Sequence, residues 1–243
     1  SIMPCTAKKD EAARQALAKD AVPDVDLVLT VREFAKLLKG KGIDLRKLEG
    51  QDFDTPFMSK GSGAAVIFGK TAGVAEAAAR TVYYVLTGKN VNSIQFKTSE
   101  HPHVEQELTI DLGEGKSPLR IGVVHGLANA DYIADEVLSG KSPFDFIEVM
   151  SCPGGCINGG GTPREAGDYH PFNLERTKVL TTIDEEHSLR QSHNNPMVKE
   201  LYKEYLGEPN SHLAHELLHT EYQDRKSGKK LRAEDIWKEI TLC

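Results

Sequence analysis

Short apolar runs alternate along the 243-residue chain with longer stretches in which apolar positions return every three or four residues. That pattern predicts an α/β fold of mixed and parallel sheets flanked by helices. "SIMPC" reads as the end of a strand, and "TAKKDEAARQALAKD" (6–20) as a helix rich in Ala, Lys and Glu. A domain rarely starts on its own buried strand end, so the pattern implies upstream chain that is missing or is supplied by another polypeptide. "VDLVLT" (25–30) is a strand, and Thr30 with Glu33 has capping-box spacing ahead of a helix over 31–42. "GAAVIFG" (63–69) reads as a second apolar strand, followed by a helix over 71–88 that Gly88 ends. Three strands with short links, partly antiparallel, are expected at 93–98, 107–113 and 120–126, then a helix over 128–140 and a strand over 144–149. Beyond residue 170 the pattern is mostly helical, through "NPMVKELYKEYLG", "HLAHELLHTEY" and "AEDIWKEI". There is no internal repeat and no low-complexity linker.

Composition narrows the function classes. A hydrophobic fraction of 39% suits a soluble globular protein, and no apolar run approaches the roughly 18 residues of a membrane span. The first residues lack the layout of a signal peptide, which makes the cytoplasm the default location. A net charge of −6 argues against a nucleic-acid surface. The basic stretch "DRKSGKKLR" (224–232) reads as a solvated turn between two C-terminal helices. Four cysteines, Cys5, Cys152, Cys156 and Cys243, are too few for a disulfide framework, so the close pair points to metal.

That pair lies in "MSCPGGCINGGG" (150–161), directly after a strand pattern. Cysteines four apart on one turn can turn both sulfurs to one centre, and thiolates suit iron–sulfur clusters or zinc. Five glycines around them remove side chains, so backbone N–H groups can approach cluster sulfides. The same residues also fit a glycine-rich turn with two inert thiols. "MPCTAKKDE" (3–11) puts Cys5 at a strand end, with Lys8 and Glu11 on the first turns of the next helix. A helix N-terminus and a nearby Lys both favour an anionic centre. Taken alone, the segment equally describes a buried Cys before an ordinary amphipathic helix.

Together the two segments resemble the second and third signature motifs of the iron-only (diiron) hydrogenases, M-P-C-x-x-K-x-x-E and M-x-C-x-x-G-C-x-x-G-G-G-x-P, at every fixed position. "VIFGKTAGVAEAAAR", "RQSHNNP" and "AHELLHTEY" are similar to family segments in the same order, so the resemblance covers nearly the whole chain as the C-terminal portion (1–243) of a hydrogenase catalytic domain. It implies reversible oxidation of hydrogen and reduction of protons. The implied cofactors are a four-iron four-sulfur cluster and, joined to it, a diiron unit with carbon monoxide, cyanide and a bridging dithiolate. By motif position Cys5, Cys152 and Cys156 are three of the four cube ligands, with Cys156 as the bridge. Lys8 donates to a cyanide, Met3 and Met150 line the diiron pocket, and Phe68 packs beside it. Hydrogen, protons and an electron carrier such as ferredoxin are the implied partners.

The departures are as specific. The family's first motif, T-S-C-C-P-x-W, is absent, so a further chain or segment must supply the fourth ligand. Cys243 is taken as a tail residue. Where the family has F-G-A-T-G-G-V-M-E the chain reads "FGKTAGVAE", which puts Lys70 and Ala72 in the expected pocket wall, and Thr162 replaces a common Gln. A non-catalytic Narf-like iron–sulfur assembly protein shares the cysteine framework. Met3, Lys8 and Met150 favour the hydrogenase, because a plain cube does not need them. "HELLH" (215–219) fits the zinc-protease pattern H-E-x-x-H, with Glu216 as base and Glu239 at a third-ligand spacing. It reads more simply as an amphipathic helix with Leu213, Leu217 and Leu218 towards the core. The remaining histidines show no ligand spacing, and Trp237 reads as a packing residue.

Overall fold

A computed structural model of the chain describes residues 1–54, 57–91, 94–113, 115, 117–164, 174–220, 222–223 and 230–231. Its largest sheet has four strands in the order β5 (Lys97–Thr98), β6 (Gln106–Ile110), β7 (Leu119–His125) and β8 (Phe146–Met150). The first two pairings are antiparallel, while β7 and β8 run parallel, with His125 opposite Met150. The crossover between them is helix α5 (Leu127–Leu138). β7 is covered on both faces. Ile121 and Val123 pack with Ala72, Ala75 and Ala79 at and along α4 (Gly73–Thr87), and Val124 packs with Val104, Ile133 and Phe144. Burial on both faces is why "RIGVVHG" is a continuous apolar run. The alanines give α4 a smooth face on the sheet, and Gly88 ends the helix at φ 70° as expected.

A second, two-stranded sheet carries the N-terminal motif. β1 (Ile2–Met3) lies parallel to β4 (Leu29–Thr30), which leads straight into α2 (Val31–Gly40). The predicted capping box is present: Glu33 N–H donates to Thr30 Oγ1 at 3.1 Å, and Thr30 N–H donates to Glu33 Oε2 at 2.8 Å. Such a cap contributes about 1 kcal/mol. Lys9 joins it, with Nζ 2.9 Å from Glu33 Oε2 and 2.9 Å from the Val28 carbonyl. The helix expected over 6–20 is shorter. α1 spans only Ala7–Ala12, and β2 (Ala18–Lys19) pairs antiparallel with β3 (Val22–Pro23). Asp20 and Ala21, both left-handed at φ 51° and 63°, form the two-residue turn between them. Helix-favouring composition yields here to hairpin geometry.

"GAAVIFG" is helical, not a strand. α3 (Gly63–Val66) starts at Ser62, whose hydroxyl accepts from Ala65 N–H, and it continues as a 3-10 turn over Ile67–Gly69. Ala64 and Ile67 are fully enclosed while Ala65 and Phe68 are exposed, and a short apolar run could not by length alone be told from a strand. Beside it lies a chain of buried ions. Lys70 Nζ meets Glu76 Oε2 at 2.9 Å, Glu76 pairs with Arg80, and Arg80 forks onto Asp184 at 2.9 and 2.7 Å. Arg190 adds a bond to Asp184 at 2.6 Å. Asp184 belongs to α6 (Leu174–Glu186), so the network ties α4 to α6. A Cβ on Gly63 would collide with the Asp184 carboxylate, which fixes that position as glycine.

The C-terminal part is mostly helical among the described residues. α7 (Pro196–Leu201) runs into a wide π turn over Tyr202–Leu206, and α8 spans His212–Leu218. Leu217 and Leu218 are exposed rather than core-facing; Ala214 and, in part, Leu213 fill the inner side of this short helix. Strands β9 (Tyr222–Gln223) and β10 (Lys230–Leu231) pair antiparallel, so the basic stretch reaches a strand pair where a turn between helices was expected. The expected helix "AEDIWKEI", with Trp237, Glu239 and Cys243, lies outside the described residues.

Backbone contacts without side chains bring the two cysteine segments together. Gly161 N–H donates to Pro4 O at 2.9 Å, and Arg32 N–H donates to Gly161 O at 3.1 Å. A Cβ on Gly159 would drive into the Pro4 carbonyl oxygen. At Gly155, with φ +87°, a Cβ would lie 2.7 Å from Thr71 N and 2.8 Å from Lys70 C. These glycines therefore serve close packing of the loop on residues 4 and 70–71, a role that motif spacing alone does not reveal.

Gly159 has φ −61°, which any residue adopts, so the cost of a side chain there is purely steric. Gly159→Ala is expected to destabilise the fold by about 2 kcal/mol and to lower iron uptake. Gly160→Ala, whose Cβ would meet Thr6 at an ordinary 3.6 Å, is expected to do neither. Urea unfolding and iron analysis of the two variants provide the check.

Asp184→Ala leaves Arg80, whose side chain is 1% exposed, with Glu76 as its one carboxylate partner among the described residues, and should cost about 3–5 kcal/mol. Burial pushes the Asp184 carboxyl up, but Arg80 and Arg190 outweigh it and hold it below the usual range. Its contribution is thus complete above the ordinary carboxylate range and is lost as pH falls through the lowered value. Acid titration of stability in wild type and variant measures both effects.

Candidate metal centre

Each cysteine of the site stands at the end of a strand or in the turn after it. Cys5 follows β1 and precedes α1, and Cys152 follows β8 by two residues. Cys156 opens a 3-10 turn over Cys156–Asn158. The two strands belong to different sheets, and the loop contacts of Gly159 and Gly161 with Pro4 are what close the gap. Cys5, Cys152 and Cys156 carry free thiols.

Cys156 feels the charges of Cys5, Cys152 and Lys8, so these groups lie within electrostatic reach of one another. Burial, and then the neighbouring Cys5 and Cys152 sulfurs, push its thiol above the ordinary range, while Lys8 pulls the other way. Three neighbouring thiols, Cys5 and Cys152 partly buried and Cys156 exposed, suit an iron–sulfur core, which binds thiolates and displaces their protons. Among the described residues no three His, Cys, Asp or Glu side chains stand close enough to share a single metal ion. A four-iron cube takes one thiolate per iron, so its ligands stand further apart than those of one ion. The residues present fit three corners of such a cube.

Lys8 lies half-buried on α1, in an ion pair with Glu11 one turn on. Met3, Lys8 and Glu11 line one open cavity of about 260 Å³, together with Leu17, Val25 and Val28. Met150 is buried at the end of β8. Phe68 is 46% exposed on the turn Ile67–Gly69, which packs against the Cys156–Asn158 turn. Met3 and Lys8 are thus brought together on one cavity. Met150 and Phe68 flank the cysteine loop from other elements.

The two departures from the family pattern also find their places. Lys70 does not project free; it is paired with Glu76 and largely enclosed. Ala72 precedes α4 in a left-handed conformation, φ 60° and ψ 7°, where the family's glycine fits without cost. An L side chain there costs about 1–2 kcal/mol. Glu148 compensates. From β8, four residues before Cys152, its carboxylate accepts Ala72 N–H at 2.9 Å and Ala75 N–H at 2.6 Å. Burial pushes its carboxyl up, against the pull of those two N–H groups. As a strand pattern "FDFIEV" reads as simply apolar; the one acid near its end is the signal that points to this role. Thr71, between Lys70 and Ala72, has its hydroxyl 3.2 Å from His125 Nε2. Burial lowers the affinity of His125 for a proton.

In the H-E-x-x-H segment, α8 ends at Leu218, so His219 lies just past the helix with extended backbone. Glu216 is exposed. The proposed third ligand, Glu239, lies outside the described residues.

Comparison with known proteins identifies the family. "Iron only hydrogenase large subunit, C-terminal domain" matches residues 1–160, and "Iron hydrogenase small subunit" matches residues 172–225. The NADP-reducing hydrogenase subunit HndD of Solidesulfovibrio fructosivorans is 44% identical over 226 residues, 93% of this chain and 38% of that protein. Protein NAR1 of Arabidopsis thaliana is 32% identical over 235 residues, 91% of this chain and 49% of that protein. A solved FeFe-hydrogenase HydA1 from Chlamydomonas reinhardtii superposes with a TM-score of 0.71 at 36% identity, covering 91% of this chain and 62% of that one. The chain therefore spans less than half the length of these two curated relatives. With two-thirds of its residues matched in order and the cysteine framework in place, the chain belongs to the family defined by the C-terminal domain of the iron-only hydrogenase large subunit.

Proposed function

We propose that the chain is the C-terminal portion of a hydrogenase catalytic domain, which interconverts hydrogen with protons and electrons in the cytoplasm. The observation that carries this reading is Lys8, set with Met3 on one cavity and within electrostatic reach of Cys156. A protein that only holds a cube has no use for an ammonium and a thioether wall beside its ligands. The 44% identity to a hydrogenase subunit, against 32% to NAR1, supports the same choice.

Each residue has a role within that reading. Cys5, Cys152 and Cys156 would hold the cluster, with Cys156 also a ligand of its diiron part, and a fourth thiolate would come from another chain or segment. When bound, this group supplies the electron path and the bond-making with hydrogen. Lys8 donates a charge-assisted hydrogen bond to an anionic ligand such as cyanide. Glu11, paired with Lys8, orients it. Met3 and Met150 give a soft wall that excludes water, and Phe68 covers the loop from outside. An electron carrier such as ferredoxin would be the redox partner.

Co-expression with a segment carrying a Cys-Cys-Pro motif is expected to give full iron loading and hydrogen evolution, which the isolated chain lacks. In that complex Cys156→Ser should abolish turnover. Lys8→Ala should lower cofactor retention by about 10 to 100-fold, the usual effect of removing a partner of a metal's own ligands. Iron content and hydrogen evolution measure these outcomes. Normal turnover in Cys156→Ser, or full activity of the isolated chain, would contradict the assignment.

A further inference from the structure

We propose that His215 and His219 form a two-ligand site for a borderline divalent cation such as Zn²⁺ or Ni²⁺ at the end of α8. The two rings lie with centroids 4.4 Å apart and planes tilted by 45°. His219 N–H donates to His215 O at 3.2 Å, which closes the last turn and keeps both residues on one side of it. Both side chains are exposed, so a hydrated ion reaches them without opening the fold. Neutral imidazoles suit these cations, and His219, although just past α8 with extended backbone, keeps its ring beside that of His215.

Neither His212 nor Glu216 completes a group of three that one ion could join. Water then fills the remaining coordination positions, and the ion exchanges readily. The site differs in this from a buried structural zinc and from a three-ligand catalytic one. Its consequence lies in the segment beyond His219. The chain continues to Thr220, whose hydroxyl is 3.5 Å from Arg14 Nη2, and to Tyr222, whose ring lies 4.8 Å beneath the same guanidinium. Arg14 follows α1, the helix that carries Lys8. A cation on the two histidines fixes the start of this segment and so steadies its docking on the N-terminal part.

The test is calorimetric titration of NiCl₂ into the wild-type, His215→Ala and Cys152→Ser chains. The cysteine variant is needed because thiols also bind nickel. A binding event that His215→Ala weakens at least about tenfold, by removing the second ligand from the same molecule, and that Cys152→Ser leaves unchanged, is expected. An event indifferent to His215→Ala, or lost in Cys152→Ser, would overturn the proposal. Should His215→Ala fail to fold by circular dichroism, His219→Gln makes the same comparison from outside the helix. Zinc-dependent peptide cleavage that Glu216→Gln abolishes would also overturn it, in favour of a catalytic zinc.

Discussion

Cys5 and the Cys152–Cys156 pair lie on two chain segments almost 150 residues apart, and the contact between those segments is backbone against backbone. Gly161 bridges Pro4 and Arg32 through its own N–H and carbonyl, and Gly159 presses on Pro4 where no Cβ fits. Gly155 does the same against Lys70 and Thr71. Backbone contacts of this kind have little give, because interiors are close-packed and a displaced main chain carries its neighbours with it. The placement of Cys5 relative to the Cys152–Cys156 pair is therefore set by main-chain packing.

Much of the remaining structure keeps the ends of that contact in place. On one side the Thr30–Glu33 cap and Lys9 hold β4 and α2 beside β1. Hydrogen bonds from Thr30 N–H and Lys9, first among them, keep the Glu33 carboxyl down at about 2. On the other, Glu148 binds the start of α4 from within β8, and the Arg80–Asp184 pair ties α4 to α6. Buried ion networks add little net stability over apolar packing, but removing one member is costly. Here the network links the α6 helix to the turn that supports Gly155.

The parts of this arrangement that rest on local rules are legible in the sequence. The capping box, the glycine stop of α4, strands β7 and β8 and the two cysteine motifs all depend on residues a few positions apart. Other parts depend on partners distant in sequence. α1 stops at Ala12 because of a hairpin whose turn, Asp20–Ala21, lacks the usual glycine signal. "GAAVIFG" looks like a strand because its exposed positions, Ala65 and Phe68, are apolar as well as its buried ones, Ala64 and Ile67, so no helical periodicity shows. Glu76 and Arg80 stand at i, i+4 spacing, yet nothing local tells that Asp184 will bury them. The glycines around Cys156 read as room for sulfides, whereas Pro4 and Thr71 occupy that room.

The account's central claim is that these three cysteines, with Lys8 and Met3 beside them, hold a diiron unit as well as a cube. Infrared spectroscopy of the anaerobically matured protein, complexed with the segment that carries the fourth ligand, tests it most directly. The account predicts stretching bands of metal-bound carbon monoxide and cyanide. A complex that carries the four-iron cluster yet shows no such bands would contradict it and leave the assembly-protein reading in its place.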